Sequence, residues 1–143
     1  MHTTIPILFL RVWYRFLSAA AGTTFGGNPL AAAAALEVVR RIADPAFLES
    51  ARSKGRLLRE QMQRLQKLHP QTILEIRQPI DDGLFMGVDF QAPVKAFQQE
   101  CARNGLLLIS AGDNTLRICP PLTISEDELL HGVTVMEKCL AAM

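Results

Sequence analysis

The sequence predicts an α+β fold: two leading helices, then a small, largely antiparallel sheet with helices on one face. Three observations support this. Up to Leu68 the larger apolar residues recur at helical spacing. From Ile73 the apolar segments shorten to strand length, between clusters of Pro, Gly, Asp and Asn. Cap residues mark the helix starts on both sides of that change. The resulting order is two helices followed by β-β-α-β-β-α.

Residues 1–21, MHTTIPILFLRVWYRFLSAAA, stand apart as a peripheral leader that holds the only Trp and the only Tyr. Arg11 and Arg15 interrupt its apolar run, short of the roughly 20 clean residues of a membrane span. The arginines lie inside or after that run, whereas a signal peptide carries its charge before it. Residues 22–70 then form a loop and two helices. Gly26 and Gly27 make a flexible turn, Asn28 can cap, and Pro29 suits the first helical position. This helix runs to about Ala43, with Leu30, Leu36, Val39 and Ile42 as its larger apolar residues and Glu37 four residues before Arg41. Asp44-Pro45 repeats the start signal for a second helix to about Leu68. Its inward stripe is expected to be Leu48, Ala51, Leu58, Met62 and Leu65.

Residues 71–143 carry the sheet. Ile73, Leu74 and Ile76 read as one strand and Leu84 to Phe90 as another, with Pro79 and Asp81-Asp82-Gly83 in the turn. A helix opens at Pro93, turns Val94, Phe97 and Cys101 inward, and ends at Asn104-Gly105 with a left-handed cap. Leu106 to Ile109 reads as a continuous apolar strand. Ala111-Gly112-Asp113-Asn114 reverses the chain and Thr115 to Ile118 returns as a strand, stopped by Pro120-Pro121. Ser125 with Glu128 is a capping box for the last helix, whose Leu129, Val133, Met136 and Leu140 face inward.

Composition limits the functional classes. Apolar residues make up 49% and charged residues 20%, a globular balance. Fifteen Lys and Arg against fourteen Asp and Glu leave a net charge of +1, and the arginines are scattered. No field favours nucleic acid or an anionic membrane. Cys101, Cys119 and Cys139 are widely spaced and His2, His69 and His131 are isolated, so no metal-ligand spacing exists. The thiols read as small apolar residues in a reducing, cytoplasmic setting.

Two segments could carry chemistry. Gly22-Thr23-Thr24-Phe25-Gly26-Gly27-Asn28-Pro29 joins two hydroxyls, bare glycine backbone and a helix N-terminus. That set could hold an anion, or it could simply start a helix. It matches neither the Walker nor the dinucleotide glycine pattern. Arg117 follows Thr115 and Leu116 on a strand, so Thr115 and Arg117 share one face and Leu116 and Ile118 the other. Its guanidinium could clamp a carboxylate, or lie on a solvated sheet face. Asp81, Asp82 and Asp89 suit a turn and an outer strand face. His131 suits an exposed helix position, and Ser110 and Ser125 lack a nucleophile-elbow context. None of these receives a catalytic role.

The segment from Gly22 to Ala31, GTTFGGNPLA, with the alanine-rich helix behind it, resembles the class III aminotransferases, pyridoxal-phosphate enzymes of fold type I. Three further segments resemble the same family: Gly83-Leu84-Phe85-Met86-Gly87-Val88, Asn104-Gly105-Leu106-Leu107-Leu108 with Ala111-Gly112, and Leu116-Arg117-Ile118-Cys119-Pro120-Pro121-Leu122-Thr123-Ile124. The acetylornithine/ornithine branch is the nearest match, and the resemblance covers Gly22 to about Met143. It implies the C-terminal small domain of that fold. It also implies Thr24 on the cofactor phosphate across a dimer interface, Thr23 near substrate, and Arg117 on the substrate α-carboxylate. The reaction implied is amino transfer from an acetylornithine- or ornithine-type donor to 2-oxoglutarate.

The family's Schiff-base lysine lies upstream of the Gly-Thr-Thr motif. Here the lysines are Lys54, Lys67, Lys95 and Lys138, all downstream of it. The acid that pairs with the pyridine nitrogen and the phosphate-cradling loop have no counterpart either. The expectation is therefore a C-terminal part of such an enzyme behind an unrelated leader, inactive alone because the reacting lysine is missing. It would act as a homodimer or docked on a full-length aminotransferase. The competing expectation is a non-catalytic interaction module of the same descent. Arg77-Gln78-Pro79-Ile80-Asp81-Asp82 replaces the family's tight turn and should lengthen a surface loop.

Overall fold

A computed structural model describes residues 27–78 and 82–142. The chain divides into two units, Met1–Ile42 and Ala43–Met143. The described part of the first is helix α1, Pro29–Ile42. Asn28 caps it, its Oδ1 accepting from the N–H groups of Leu30 at 2.9 Å and Ala31 at 3.3 Å. Arg41 Nε donates to Glu37 at 2.8 Å, the expected pair one turn apart. The helix buries none of its residues. Its alanines favour helix through backbone propensity.

The second unit begins with α2, Pro45–Leu68. Asp44 caps it by accepting from Ala46 N at 2.7 Å and Phe47 N at 3.2 Å. The chain continues through β1, Ile73–Arg77, β2, Met86–Phe90, and α3, Lys95–Arg103. It ends with β3, Ile109–Ser110, β4, Thr115–Ile118, and α4, Glu126–Ala141. The strands lie in the order β1-β2-β4-β3, every pair antiparallel. In the central pair, Met86 lies opposite Ile118 and Val88 opposite Leu116. Alternation sends Met86, Val88, Phe90, Leu116 and Ile118 to one buried face.

Leu58, Met62 and Leu65 of α2, Phe97 and Cys101 of α3, and Leu129, Val133 and Met136 of α4 close over that face. The Phe90 and Phe97 rings lie 5.1 Å apart and tilted by 40°, a favourable aromatic geometry. Arg64 of α2 grips Glu137 of α4 with two parallel hydrogen bonds of 2.8 and 2.7 Å, tying the two helices at their exposed edge. Its guanidinium holds the Glu137 carboxyl below the usual carboxylate range.

The turn chemistry follows the sequence. Gly105 (φ 85°) and Gly112 (φ 79°) adopt left-handed conformations that a side chain would disfavour. Ser125 Oγ accepts from Glu128 N at 3.2 Å while Glu128 accepts from Ser125 N at 2.9 Å, completing the capping box.

Several expectations are corrected. Leu48 is 39% exposed, because α2 begins beyond the end of the sheet core that its later turns cover. Of the expected Leu106–Ile109 strand only Ile109 pairs in the sheet, together with Ser110 beyond it. Leu106 N donates instead to Cys101 O at 2.9 Å, closing the end of α3, and Leu108 O accepts from Gln98 Nε2 at 3.2 Å. These hydrogen bonds bind the leucine run to α3. The second strand starts at Met86 instead of Leu84, and α3 starts two residues after Pro93. Cys101 and Cys139 are buried, whereas Cys119 is exposed.

Candidate functional site

Arg117 lies in the middle of β4, opposite Gly87 of β2 and Ile109 of β3. Because Leu116 and Ile118 point into the core, Arg117 must point to the other face of the sheet. There it is partly exposed, with its Cζ 5.9 Å from the centre of the Phe85 ring. A guanidinium over an aromatic face at this distance is held without losing its hydrogen-bond donors. Pairing of β2 with β4 brings Phe85 there. The Leu84-Phe85-Met86-Gly87 alternation contained that signal, but only once the strands were paired.

The neighbouring positions on the same face are committed to one another. Thr115 Oγ1 donates to Asp89 Oδ1 at 2.7 Å, and Arg77 forms an ion pair with the same carboxylate. Asp89 is thereby occupied, and among the described residues no carboxylate pairs with Arg117. A planar cation with unpaired donors on a rigid strand suits two-point recognition of a carboxylate.

Arg117 also lines a pocket of 370 Å³, whose walls are mainly apolar: Leu106, Leu108, Ile118, Pro120, Pro121, Ile124 and Met136 among them. Glu128 reaches the same pocket. Its carboxylate is already held by the Ser125 backbone and hydroxyl, which lower its pKa. Arg117 and Glu128 are thus the two charged residues among the pocket's lining.

No lysine lines it. Lys67, Lys95 and Lys138 are exposed on α2, α3 and α4. Lys54 is buried, and its Nζ donates to Leu122 O at 3.1 Å and Ile124 O at 2.8 Å. Its place between Ala51 and Leu58 already put it in the apolar stripe of α2, a signal the sequence reading passed over. Asp82 and Asp89 each bind arginine, and His131 is exposed. Thr23 and Thr24 lie outside the described residues, as do Pro79, Ile80 and Asp81. Among the described residues no group of three His, Cys, Asp or Glu converges as a metal site, and no helix is long and apolar enough to cross a membrane.

The family profile of class-III aminotransferases matches residues 11–140. The chain belongs to the class-III aminotransferases. The match includes residues 11–21, the second half of the leader segment. The chain is 43% identical over 117 residues to the mitochondrial acetylornithine aminotransferase of Eremothecium gossypii, covering 82% of this chain and 27% of the relative. It is 36% identical over 126 residues to the acetylornithine aminotransferase of Bacillus subtilis, covering 88% and 31%.

Among solved structures, the acetylornithine aminotransferase from Elizabethkingia anophelis superposes with a TM-score of 0.75 at 31% identity, over 85% of this chain and 31% of that one. The ornithine aminotransferase of Plasmodium yoelii gives 0.74 at 26% identity, over 87% and 33%. The chain thus spans about a third or less of the length of these proteins. Its α+β architecture is that of a domain of fold type I pyridoxal-phosphate transferases.

The family depends on pyridoxal phosphate. The described residues do not fit that group by themselves. They provide an arginine without a carboxylate partner but no lysine at the pocket, and the one acid there is tied to a helix cap.

Proposed function

We propose that this chain supplies the substrate-carboxylate part of an acetylornithine-type aminotransferase site. In this reading Arg117 clamps the α-carboxylate of an acetylornithine- or ornithine-type donor, and of 2-oxoglutarate in the returning half-reaction. Thr24 contributes to the phosphate of pyridoxal phosphate and Thr23 lies near the substrate. The cofactor, where bound, stabilises the negative charge that develops at the substrate α-carbon. The role of Arg117 is to fix the carboxylate, and with it the substrate's orientation, by paired hydrogen bonds. The observation that carries the reading is Arg117 itself, a partly exposed guanidinium over Phe85 with no carboxylate partner among the described residues, on a class-III chain.

In this reading these residues do not transaminate by themselves, because Lys54 is held by two carbonyls and no lysine lines the pocket. The chain's partner in this reading is a second copy or a full-length aminotransferase on which it docks. Binding of N-acetylornithine and 2-oxoglutarate, followed by NMR titration, tests the clamp. Arg117→Gln should weaken both by about 10–100-fold, as expected for loss of a charge-assisted pair, and Arg117→Lys should recover only part. Equal binding by Arg117→Gln would refute it.

Incubation with pyridoxal phosphate, borohydride reduction and peptide mapping tests the second claim. Stoichiometric labelling of one lysine, with amino transfer by the chain alone, would overturn it. No gain in transfer over a full-length partner alone would instead favour the non-catalytic interaction module.

A further inference from the structure

Lys54 is a buried titratable residue that the carboxylate-clamp reading leaves without a role. It sits in the apolar stripe of α2 at 8% exposure. An ammonium is strongly disfavoured in such surroundings unless acceptors satisfy its protons. Two are provided by residues far along the chain: Leu122 O at 3.1 Å and Ile124 O at 2.8 Å from Nζ. Both belong to the loop between β4 and α4.

That loop is poor in its own means of support. Pro120 and Pro121 have no N–H to donate. Its internal main-chain hydrogen bond runs from Ile124 N to Pro121 O at 3.0 Å. The same segment, through Pro120, Pro121 and Ile124, forms part of the wall of the pocket that Arg117 lines. Arg117 needs no such help, because β4 is paired on both sides by β2 and β3. The wall beside it is joined to α2 through the two Lys54 hydrogen bonds.

We propose that Lys54 is a positioning residue: its ammonium fastens the Pro120–Ile124 loop to α2 and so sets the wall of the pocket beside Arg117. The tether stands on the Lys54 geometry alone, while its effect on a ligand rests on the carboxylate-clamp reading above. A methionine at 54 would fill similar space but leave both carbonyls without their donor. An arginine would keep donors at the site.

The test is amide hydrogen exchange by NMR on the whole chain. Lys54→Met should speed exchange at Ile124 by about tenfold or more, the factor that one charge-assisted hydrogen bond allows in a local opening. Amides of the β2–β4 ladder should change no more than the loss of global stability requires, and Lys54→Arg should restore part of the protection at Ile124. Uniform acceleration, or none at Ile124, would overturn the proposal.

Should Lys54→Met fail to fold, the unmutated chain decides. One lysine ammonium, assigned to Lys54, should keep a slowly exchanging NMR signal at neutral pH, and its absence would overturn the tether. In the ligand arm, Lys54→Met should weaken N-acetylornithine binding while leaving the Arg117→Gln loss intact. If the unmutated chain binds no carboxylate ligand, the Arg117 reading and the ligand-positioning part of this one both fall, whereas the exchange data still decide the tether.

Discussion

Gly55 lies inside α2, where helix propensity by itself favours replacement by alanine by about 1 kcal/mol. The surrounding structure argues the opposite. A Cβ built on Gly55 would stand 1.7 Å from the Asp82 carbonyl oxygen and 2.7 Å from its carbon, both backbone atoms. The segment around Asp82 would have to move by more than an ångström. It is anchored where it lies: Gln78 Nε2 donates to Gly55 O at 3.1 Å and to Gly83 O at 2.8 Å, and Arg59 pairs with Asp82.

Displacing it removes two hydrogen bonds of about 0.5–1.5 kcal/mol each and adds overpacking strain of about 1–3 kcal/mol, against the propensity gain. Gly55→Ala should therefore destabilise by about 1–5 kcal/mol, or roughly 4–8 °C in Tm per kcal/mol for a unit of about 100 residues. Urea unfolding followed by circular dichroism measures it, with an unchanged m-value as the check that only the folded state is altered. Gly132→Ala on α4 is the internal control. Its nearest neighbour is a flexible leucine methyl at 3.6 Å, so propensity should prevail and stability should rise by up to about 1 kcal/mol. A neutral or stabilising Gly55→Ala would refute the close approach of the Asp82 backbone to α2.

Two other perturbations address the helix start and the buried thiols. Ser125→Ala removes the acceptor for Glu128 N and half of the capping box, and should lower stability by about 1 kcal/mol, measured by the same unfolding assay. Burial first, and Cys139 beside it second, push the Cys101 thiol from 9.0 up to about 12. A pKa raised in the folded state means that the contribution is complete below about pH 9 and is lost progressively as pH rises from 9 toward 12. Melting temperatures should fall across that window, and Cys101→Ala should flatten the fall while lowering Tm at neutral pH. An equal alkaline slope in both proteins would exclude Cys101 as its source.

Helix starts, turn positions and the apolar face of each long element were legible in local sequence. Asn28, Asp44 and Ser125 cap where their side chains predict, and Gly105 and Gly112 take positive φ. Thr115–Ile118 forms the expected strand with Arg117 outward. Each of these is set by groups a few residues apart, so a local reading suffices.

Other features depend on partners distant along the chain and emerge only on folding. Folding drew Leu106–Leu108 onto α3, because Gln98 and Cys101 offered hydrogen bonds there. It left Leu48 outside the sheet core, and it set Phe85 under Arg117 by pairing β2 with β4. It also joined Lys54 to carbonyls 68 and 70 residues away. Periodicity identifies the side of a helix that is buried. It carries no information about which backbone acceptors lie opposite, so it could not distinguish an apolar filler from the ammonium that holds the pocket wall.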